Sequence, residues 1–323
     1  MPTAVICGVT GQDGAYLSEL LLSKGYRVIG TSRDAESARR RNLRRLGIDD
    51  KIPIVSTTLT DFRSVMQLLT QYNPDELYNL AGQSSPSLSF EQPVETLESI
   101  GQGTITLLEA IRFIGRPMRL YNAGSAECFG DSAEPCNEET PFRPRSPYAV
   151  AKATAHWAVA NYREAYGLHA CTGILFNHES PLRSQRFVTK KIVAAVCRIA
   201  DGSGEKLVLG NIDVERDWGW APEYVDAMWR ILQHPVPKDY VVATGVTVSL
   251  RDFVELAFRT VGLNWRDHVE YNSNLIRPSE IRRGHANPQL ARELLGWQAK
   301  VHVEQVVARM IEAERTAEKI PEN

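Results

Sequence analysis

Short apolar runs alternate with helix-like patterns through the first half of the chain. Runs rich in strand-forming residues cover residues 4–7, 27–32, 52–55, 76–80, 119–122 and 170–175. Segments with apolar positions at helical spacing lie near residues 15–24, 63–71, 101–113 and 148–166. This alternation predicts an α/β fold with a doubly wound parallel sheet and helices on both faces. Ligands of such sheets bind at the carboxyl ends of the strands.

In the second half of the chain, prolines interrupt what we expect to be shorter elements, at positions 181, 222, 235, 237, 278 and 288. A late strand is predicted at residues 240–243. Because 323 residues exceed the usual single core, we predict two interleaved domains. Residues 1–176 and 211–245 would form the doubly wound domain, and residues 177–210 and 246–323 a smaller α/β lobe.

A glycine-rich turn joins the first predicted strand to the first predicted helix. It has the sequence GVTGQDG and starts at Gly8. Glycines there allow an unusual turn and close approach of a ligand, and the N–H groups at the start of the helix attract phosphate. The turn predicts a dinucleotide pyrophosphate site with the candidate cofactor residues Gly8, Gly11, Gln12, Asp13 and Gly14. A purely structural turn is the alternative.

Tyr148 and Lys152 are separated by one turn of a predicted helix. A nearby ammonium favours the phenolate, so we expect Lys152 to lower the pKa of Tyr148. The phenol could then exchange a proton with a substrate hydroxyl, as the interconversion of an alcohol and a ketone requires. A solvated helix face without a catalytic role is the alternative. The glycine-rich turn upstream favours the catalytic interpretation.

The residues after the second predicted strand bear on which nicotinamide dinucleotide would bind. The chain has Arg33 and Asp34 at that point. An arginine accommodates the extra phosphate of NADP, whereas an acidic residue binds the ribose hydroxyls of NAD. Because Asp34 could pair with a nearby arginine, we predict NADP. NAD binding through Asp34 is the alternative.

Composition and charge argue against several function classes. The chain is 43% hydrophobic with a net charge of −2, so it has no basic surplus for nucleic acid or an anionic membrane. No stretch approaches the roughly 18 uncharged apolar residues of a membrane span. Five scattered cysteines without a C-x-x-C pair are a poor disulfide framework. We therefore expect a soluble, unprocessed, cytoplasmic protein.

Five short motifs carry a resemblance to a known family. They are NLAGQS at 79–84, SAECFG at 125–130, PRSPY at 144–148, FNHESP at 176–181 and RDWG at 216–219. In sequence and order they resemble the GDP-mannose 4,6-dehydratases, which are extended short-chain dehydrogenases/reductases, from residue 3 to about residue 310. The resemblance implies that the doubly wound domain is a Rossmann-like NADP-binding domain and that the smaller lobe binds a nucleotide sugar.

The resemblance also implies a reaction and its catalytic residues. GDP-mannose would become GDP-4-keto-6-deoxymannose through hydride transfer from C4 to NADP+ and on to C6, with loss of water. Tyr148 would deprotonate the C4 hydroxyl, and Ser125, where the family usually has Thr, would hydrogen-bond the C4 oxygen. Glu127 would act as base at C5 and then as acid toward the C6 hydroxyl. Lys152 would hold the nicotinamide ribose.

Further residues are assigned to binding by the resemblance. Leu80, Ser84 and His178 would hold the cofactor together with the glycine-rich turn. The residues that would enclose the nucleotide sugar are Ser85, Asn177, Val188, Lys191, Leu209, Gly210, Arg216, Arg277 and Glu280. Arginines suit this site because a diphosphate in a near-neutral protein needs local forked donors. His178 and Glu179 are adjacent, with no further His or Cys at ligand spacing, so we expect no metal.

Other functions stay open at this point. The chain could be a related dehydratase, epimerase or reductase of another GDP-hexose or heptose, or a nucleotide-binding regulator without turnover. Glu127 favours a dehydratase, because removing the C5 proton and expelling the C6 hydroxyl calls for a carboxyl group. Pro86 stands in a loop that normally lacks proline in the family, and we expect it to reshape the sugar pocket. We expect a homodimer or homotetramer.

Overall fold

A computed structural model describes residues 1–316 of the chain. The strands in that range are β1 Thr3–Cys7, β2 Arg27–Ser32, β3 Ile54–Ser56, β4 Glu76–Asn79, β5 Arg119–Ala123, β6 Ala170–Leu175, β7 Asn177–Glu179, β8 Leu207–Leu209, β9 Glu215–Trp220, β10 Tyr240–Val242, β11 Thr247–Ser249 and β12 Val269–Tyr271. The α-helices are α1 Gln12–Ser23, α2 Arg41–Arg45, α3 Phe62–Tyr72, α4 Pro86–Glu91, α5 Pro93–Leu97, α6 Gly103–Ile114, α7 Pro147–Tyr166, α8 Val188–Ala200, α9 Ala221–Gln233, α10 Leu250–Thr260, α11 Gln289–Leu295 and α12 Val303–Thr316. None of these helices is long and apolar enough to cross a membrane.

The central sheet has the strand order β3-β2-β1-β4-β5-β6-β10. Every neighbouring pair in it is parallel, which confirms the predicted doubly wound α/β fold. Strands β2 and β6 have the predicted bounds. Strand β3 starts at Ile54 rather than at residue 52, because Pro53 has no N–H to donate and the Ile52 carbonyl accepts a hydrogen bond from Arg40 Nη2 at 3.0 Å.

Apolar side chains cover both faces of the central sheet, since successive residues of a strand point to opposite sides. On β1, Ala4 and Ile6 belong to the core that also contains side chains of α1 and α9. Val5 and Cys7 belong to the core formed with α3, α6 and α7. This burial on two sides explains why the strands have continuous apolar runs rather than an alternating pattern.

A further apolar core lies among α8, α10 and α12, with side chains from β8 and β9. Strands β7, β8, β10, β11 and β12 have three residues each, as expected of shorter elements after residue 176. The expectation is wrong for the helices, since α8 and α9 have 13 residues each and α12 has 14. Prolines lie at the starts of α9 and α11 instead. Pro222 occupies the first turn of α9, where a helix needs no N–H donor. The domain limits stay a prediction, and residues 317–323 lie outside the described range.

Two glycines allow the ends of the central strands to approach one another closely. Gly8, after β1, has a φ of 85°, and a Cβ there would lie 2.9 Å from the carbonyl carbon of Leu80 after β4. A Cβ at Gly124, after β5, would lie 2.6 Å from Thr172 Cγ2 on β6. The loops that leave these strands therefore start side by side at the carboxyl edge of the sheet.

Candidate active site

A cavity of about 380 Å³ opens at the carboxyl ends of the central strands. It brings together all the residues predicted for catalysis and for the nucleotide sugar, namely Ser125, Glu127, Tyr148, Lys152, Ser85, Asn177, Val188, Lys191, Leu209, Gly210, Arg216, Arg277 and Glu280. The predicted cofactor residues Asp13, Leu80, Ser84 and His178 also line it. The cavity lining does not include Gly8, Gly11, Gln12, Gly14 or Arg33.

The first turns of α7 place Tyr148 and Lys152 in the cavity wall. Ser146 caps this helix, because its Oγ accepts a hydrogen bond from Ala149 N at 3.1 Å. Both Tyr148 and Lys152 are buried. Lys152 Nζ donates to the carbonyl oxygen of Ala123, at the end of β5, at 2.7 Å. Burial lowers the pKa of Lys152 to about 8.

The expected effect of Lys152 on Tyr148 is not what the structure shows. Burial raises the pKa of Tyr148, and this outweighs a hydrogen bond with Ser125 and the charge of Arg183, which act to lower it. Lys152 Nζ lies 5.8 Å from the centre of the Tyr148 ring and is bonded to the Ala123 carbonyl. The ammonium is therefore engaged by the end of β5 rather than by the phenol.

Ser125 and Glu127 lie on the loop that follows β5. Ser125 caps a short 3-10 helix, Ala126–Phe129, and its Oγ accepts a hydrogen bond from Glu127 N at 3.2 Å. Within residues 1–316 the Glu127 carboxylate has no hydrogen bond or ion pair, although its charge acts on both Tyr148 and Arg216. A carboxyl group on the cavity wall without such partners can exchange protons with a ligand.

Asp13 and the buried His178 form a partly buried pair between α1 and β7. Asp13 Oδ2 lies 2.9 Å from His178 Nε2, and His178 Nδ1 lies 2.7 Å from the carbonyl oxygen of Phe176. Since both ring nitrogens face acceptors, the protonated imidazole satisfies both contacts. Burial alone would lower the pKa of His178 and raise that of Asp13. The attraction between them prevails, so that the pKa of His178 is raised and that of Asp13 is lowered to about 2.

Arginines supply the positive charge of the cavity. Arg216, on β9, is buried and donates from Nη1 to the Glu215 carbonyl oxygen at 2.9 Å. Burial and the nearby charge of Arg277 lower the pKa of Arg216, while Glu127 and Glu280 act to raise it. Two guanidinium groups near each other in one cavity are suited to binding an anion with several oxygens, such as a diphosphate.

Arg183 is a cavity residue that the sequence interpretation missed. Its Nε lies 3.2 Å from Oε2 of the buried Glu179, and its guanidinium stacks 3.6 Å from the centre of the Phe187 ring. Its charge acts to lower the pKa of both Tyr148 and Asp13. A sequence signal was available, because Arg183 is a basic residue that follows the FNHESP motif closely.

The glycine-rich turn has the geometry of a phosphate-binding turn. Gly11 N donates to the Gly8 carbonyl oxygen at 3.1 Å, and no side chain caps the N-terminus of the 12-residue helix α1. A Cβ at Gly14 would lie 2.4 Å from the Gly8 carbonyl oxygen, so a glycine is needed there. The Gln12 side chain is bonded to Ser180 and His178. The start of α1 can therefore attract an anion.

Arg33 lies at the end of β2, with its side chain 85% exposed and its Nη1 3.4 Å from Glu95 Oε1. Asp34 accepts a hydrogen bond from Ser37 Oγ at 2.6 Å. The residues that we predicted to discriminate between the two cofactors are thus at the surface.

Within residues 1–316, no group of three or more His, Cys, Asp or Glu side chains is arranged to hold a metal ion.

Fold and site together define an extended short-chain dehydrogenase/reductase, with a Rossmann-like sheet, a glycine-rich turn after β1 and a Tyr-x-x-x-Lys pair at the start of α7. Two solved structures share this fold. A dTDP-glucose 4,6-dehydratase from Bacillus anthracis in complex with NAD has a TM-score of 0.86 at 19% identity, over 99% of this chain and 98% of that chain. RMD from Pseudomonas aeruginosa complexed with NADPH has a TM-score of 0.82 at 22% identity, over 98% and 99%.

Sequence comparison is more specific than the fold. The family model for GDP-mannose 4,6 dehydratase matches residues 5–310. GDP-mannose 4,6 dehydratase 1 from Arabidopsis thaliana is 46% identical over 319 residues, which covers 96% of this chain and 88% of the plant protein. The chain belongs to the GDP-mannose 4,6-dehydratase family.

Proposed function

We propose that the protein is a nucleotide-sugar 4,6-dehydratase that converts GDP-mannose to GDP-4-keto-6-deoxymannose with loss of water. The observation that carries this proposal is the convergence of Glu127, Tyr148 and Ser125 on one cavity that also contains Arg216 and Arg277. The family supports the same substrate, because relatives that match most of this chain are named for it.

A nicotinamide dinucleotide would extend from the cavity to the glycine-rich turn, because Asp13 of that turn lines the cavity. The uncapped start of α1 would hold its pyrophosphate, and Lys152 would hold the nicotinamide ribose. Such a group would supply the hydride chemistry, by which a hydride leaves C4 of the sugar and enters C6. We favour NADP over NAD because Arg33 offers forked donors to the extra phosphate. An Arg33→Ala variant would then lose affinity for NADP+ but not for NAD+ in a titration.

Tyr148 is the proposed base for the C4 hydroxyl. Ser125, whose hydroxyl acts to lower the pKa of Tyr148, would bind the same substrate oxygen as its proton leaves. Because burial raises the pKa of Tyr148, positive charge in the cavity must offset that effect. Arg183 supplies one such charge, and Lys152 lies one helical turn away.

Glu127 is the proposed acid and base for the elimination. Once C4 is a ketone, the C5 proton is acidic, and the carboxylate removes it. The same proton then passes from Glu127 to the C6 hydroxyl, which leaves as water. One carboxyl group thus accounts for both proton transfers of the elimination. As hydride enters C6, C5 takes up a proton from solvent, which balances the proton that Tyr148 removes from the C4 hydroxyl. The Glu127 side chain lines the cavity and has no ion pair in the described part of the chain.

The proposal is tested by incubating the protein with GDP-mannose and a catalytic amount of NADP+. We expect a product that has lost one water per sugar, detected by mass spectrometry, without net consumption of the cofactor. An isomer of unchanged mass would indicate an epimerase. Binding of GDP-mannose without any product would indicate a regulator.

We also propose that the protein is a homo-oligomer. Large apolar side chains are exposed on the neighbouring helices α5, α6 and α7: Val94 is 68% exposed, Leu97 45%, Ile105 38% and Trp157 61%. An apolar helix layer of this kind is typical of a surface that pairs with a second copy.

A reducing cytoplasm is the proposed location, because the five cysteines are buried and free.

A further inference from the structure

A segment of the chain crosses the mouth of the cavity, and we call residues 272–286 the strap. Its far end is fixed to the loop after β5 and to β9. Asp131 Oδ1 accepts hydrogen bonds from Arg282 N at 2.6 Å and Arg283 N at 3.3 Å. Gly284 N donates to the Glu215 carbonyl oxygen at 2.9 Å, and Cys136 N donates to His285 O at 3.0 Å.

The near end of the strap is fixed to β8. Asn272 N donates to the Leu209 carbonyl oxygen at 2.8 Å, and a Cβ at Gly210 would lie 3.2 Å from the backbone of Leu275. The part between the two fixed ends carries Arg277 and Glu280, both of which line the cavity. The position of Arg277 therefore depends on what its side chain contacts.

Arg277 contacts the opposite wall of the cavity through a serine. Its Nε donates to Ser87 Oγ, on α4, at 3.0 Å. The two residues are 190 positions apart in the chain, so this hydrogen bond joins the strap to the helix that follows β4. Among the described residues the Arg277 side chain uses only Nε, which leaves the two terminal nitrogens of the guanidinium for a ligand.

The hydrogen bond to Ser87 opposes the electrostatic repulsion between Arg277 and Arg216. Arg277 is close enough to Arg216 for its charge to act on the pKa of Arg216. Like charges drive an unrestrained side chain toward solvent, where water screens them. A hydroxyl that accepts from Nε holds Arg277 at the cavity without neutralising its charge.

Ser87 is itself held in a fixed place. Pro86 starts α4, and Ser85 Oγ caps the helix by accepting from Leu88 N at 3.3 Å. Gln83 Nε2 donates to the Ser85 carbonyl oxygen at 2.7 Å and to Thr96 Oγ1 at 3.3 Å. The helix that carries Ser87 is thus fastened to α5 before any ligand binds.

We propose that Ser87 is a positioning residue, which holds Arg277 beside Arg216 so that the two arginines bind the diphosphate of the substrate. The identity of that anion rests on the proposed function. Ser87 acts through Arg277 on binding and has no part in the chemistry at C4, C5 or C6.

Calorimetric titration with GDP, which contains the diphosphate but no sugar, tests the proposal without turnover. We expect Ser87→Ala to weaken GDP binding by about threefold to tenfold, the effect of losing one partly exposed hydrogen bond to a charged group. Ser87→Thr keeps the hydroxyl and is expected to restore binding. Ser279→Ala is the matched control, since Ser279 is a half-buried serine of the strap that does not line the cavity.

The double variant decides whether Ser87 acts through Arg277. In an Arg277→Ala background, Ser87→Ala is expected to cause no further loss of GDP binding. In assays of turnover, Ser87→Ala should raise KM and leave kcat within about twofold. An unchanged affinity in Ser87→Ala, or an equal loss in the Arg277→Ala background, would overturn the proposal.

The outcomes also separate this inference from the proposed function. If GDP binds and depends on Ser87 but no dehydrated sugar forms, the inference stands and the proposed reaction is wrong. If the unmodified protein does not bind GDP at all, both are wrong.

Discussion

Glu127 is the residue on which the distinction between elimination and simple epimerisation depends. An epimerase needs only to remove a hydride and return it, for which a base such as Tyr148 and a nicotinamide cofactor would be sufficient. Loss of water needs a second group that takes a proton from C5 and gives one to C6. Glu127 lines the same cavity as Tyr148, and its backbone N–H is bonded to Ser125 Oγ, so the three side chains are positioned by one loop and one helix end.

Glu127→Gln is therefore expected to lower kcat for the dehydrated product by about 10² to 10⁴-fold, because the amide keeps the shape but cannot exchange the proton. Glu134→Gln is the control, since Glu134 is an exposed glutamate a few residues further along the chain. The measurement is product formation by mass spectrometry at saturating GDP-mannose. Full activity of Glu127→Gln would contradict the proposed elimination.

Residue types were more predictable from the sequence than their electrostatic environment. The Tyr148 and Lys152 spacing gave the helix turn correctly, but it could not reveal that the Ala123 carbonyl accepts from Lys152. That contact depends on where β5 ends relative to α7. For the same reason the direction of the pKa shift of Tyr148 could not be obtained from spacing, because burial decides it.

At the scale of elements, the partly buried pair of Asp13 and His178 connects the start of α1 to β7. The pKa of His178 is raised, so its contribution to folding is fully present below about pH 6.5 and is lost as pH rises through the raised value. The pKa of Asp13 is lowered to about 2, so its contribution is present above about pH 4 and is lost as pH falls toward 2.

His178→Asn is expected to lower the free energy of unfolding by about 2 kcal/mol near pH 5.5, because it leaves the partly buried Asp13 carboxylate without its charged partner. The difference from wild type should shrink as pH rises above the pKa of His178. Urea denaturation across pH measures both effects. His234→Asn serves as the control, since within residues 1–316 the His234 ring is bonded to the nearby backbone of Val236 and lies edge-on to the Tyr240 ring, with no carboxylate partner. A difference that does not change with pH would show that the ion pair is unimportant.

Element positions followed from the sequence where burial is continuous on both sides. Strands β2 and β6 lie fully within the central sheet and match their predicted bounds. The start of β3 was predicted two residues too early, because Pro53 has no N–H to donate and the Ile52 carbonyl is bonded to Arg40. The helices after residue 176 were underestimated because their prolines lie at helix starts and connections, which sequence reading took for interruptions.

At the scale of the whole molecule, the site is assembled from distant parts of the chain. Asp13 and His178 are 165 positions apart, and Ser87 and Arg277 are 190 apart. The motifs identified most of the cavity because family resemblance carries spatial information. Ser87 lies in none of these motifs. Only the folded position of the strap reveals its contact with Arg277.

The exposed apolar layer on α5, α6 and α7 leads to a prediction about assembly. Trp157→Glu places a charge in that layer and is expected to shift the protein toward monomer, because a buried unpaired charge opposes association. Light scattering coupled to size-exclusion chromatography measures the mass. Val236→Glu is the control, at a 53% exposed apolar residue after α9 on the other face of the central sheet. An unchanged mass for Trp157→Glu would place the interface elsewhere.

The central claim is that one cavity removes a hydride from C4 and returns it to C6 of the same sugar while Glu127 expels water. GDP-mannose carrying deuterium at C4 tests it directly, with the product analysed by NMR. Deuterium is expected at C6 of a 4-keto-6-deoxy sugar, with solvent hydrogen at C5. Deuterium retained at C4, or lost to the solvent, would contradict it.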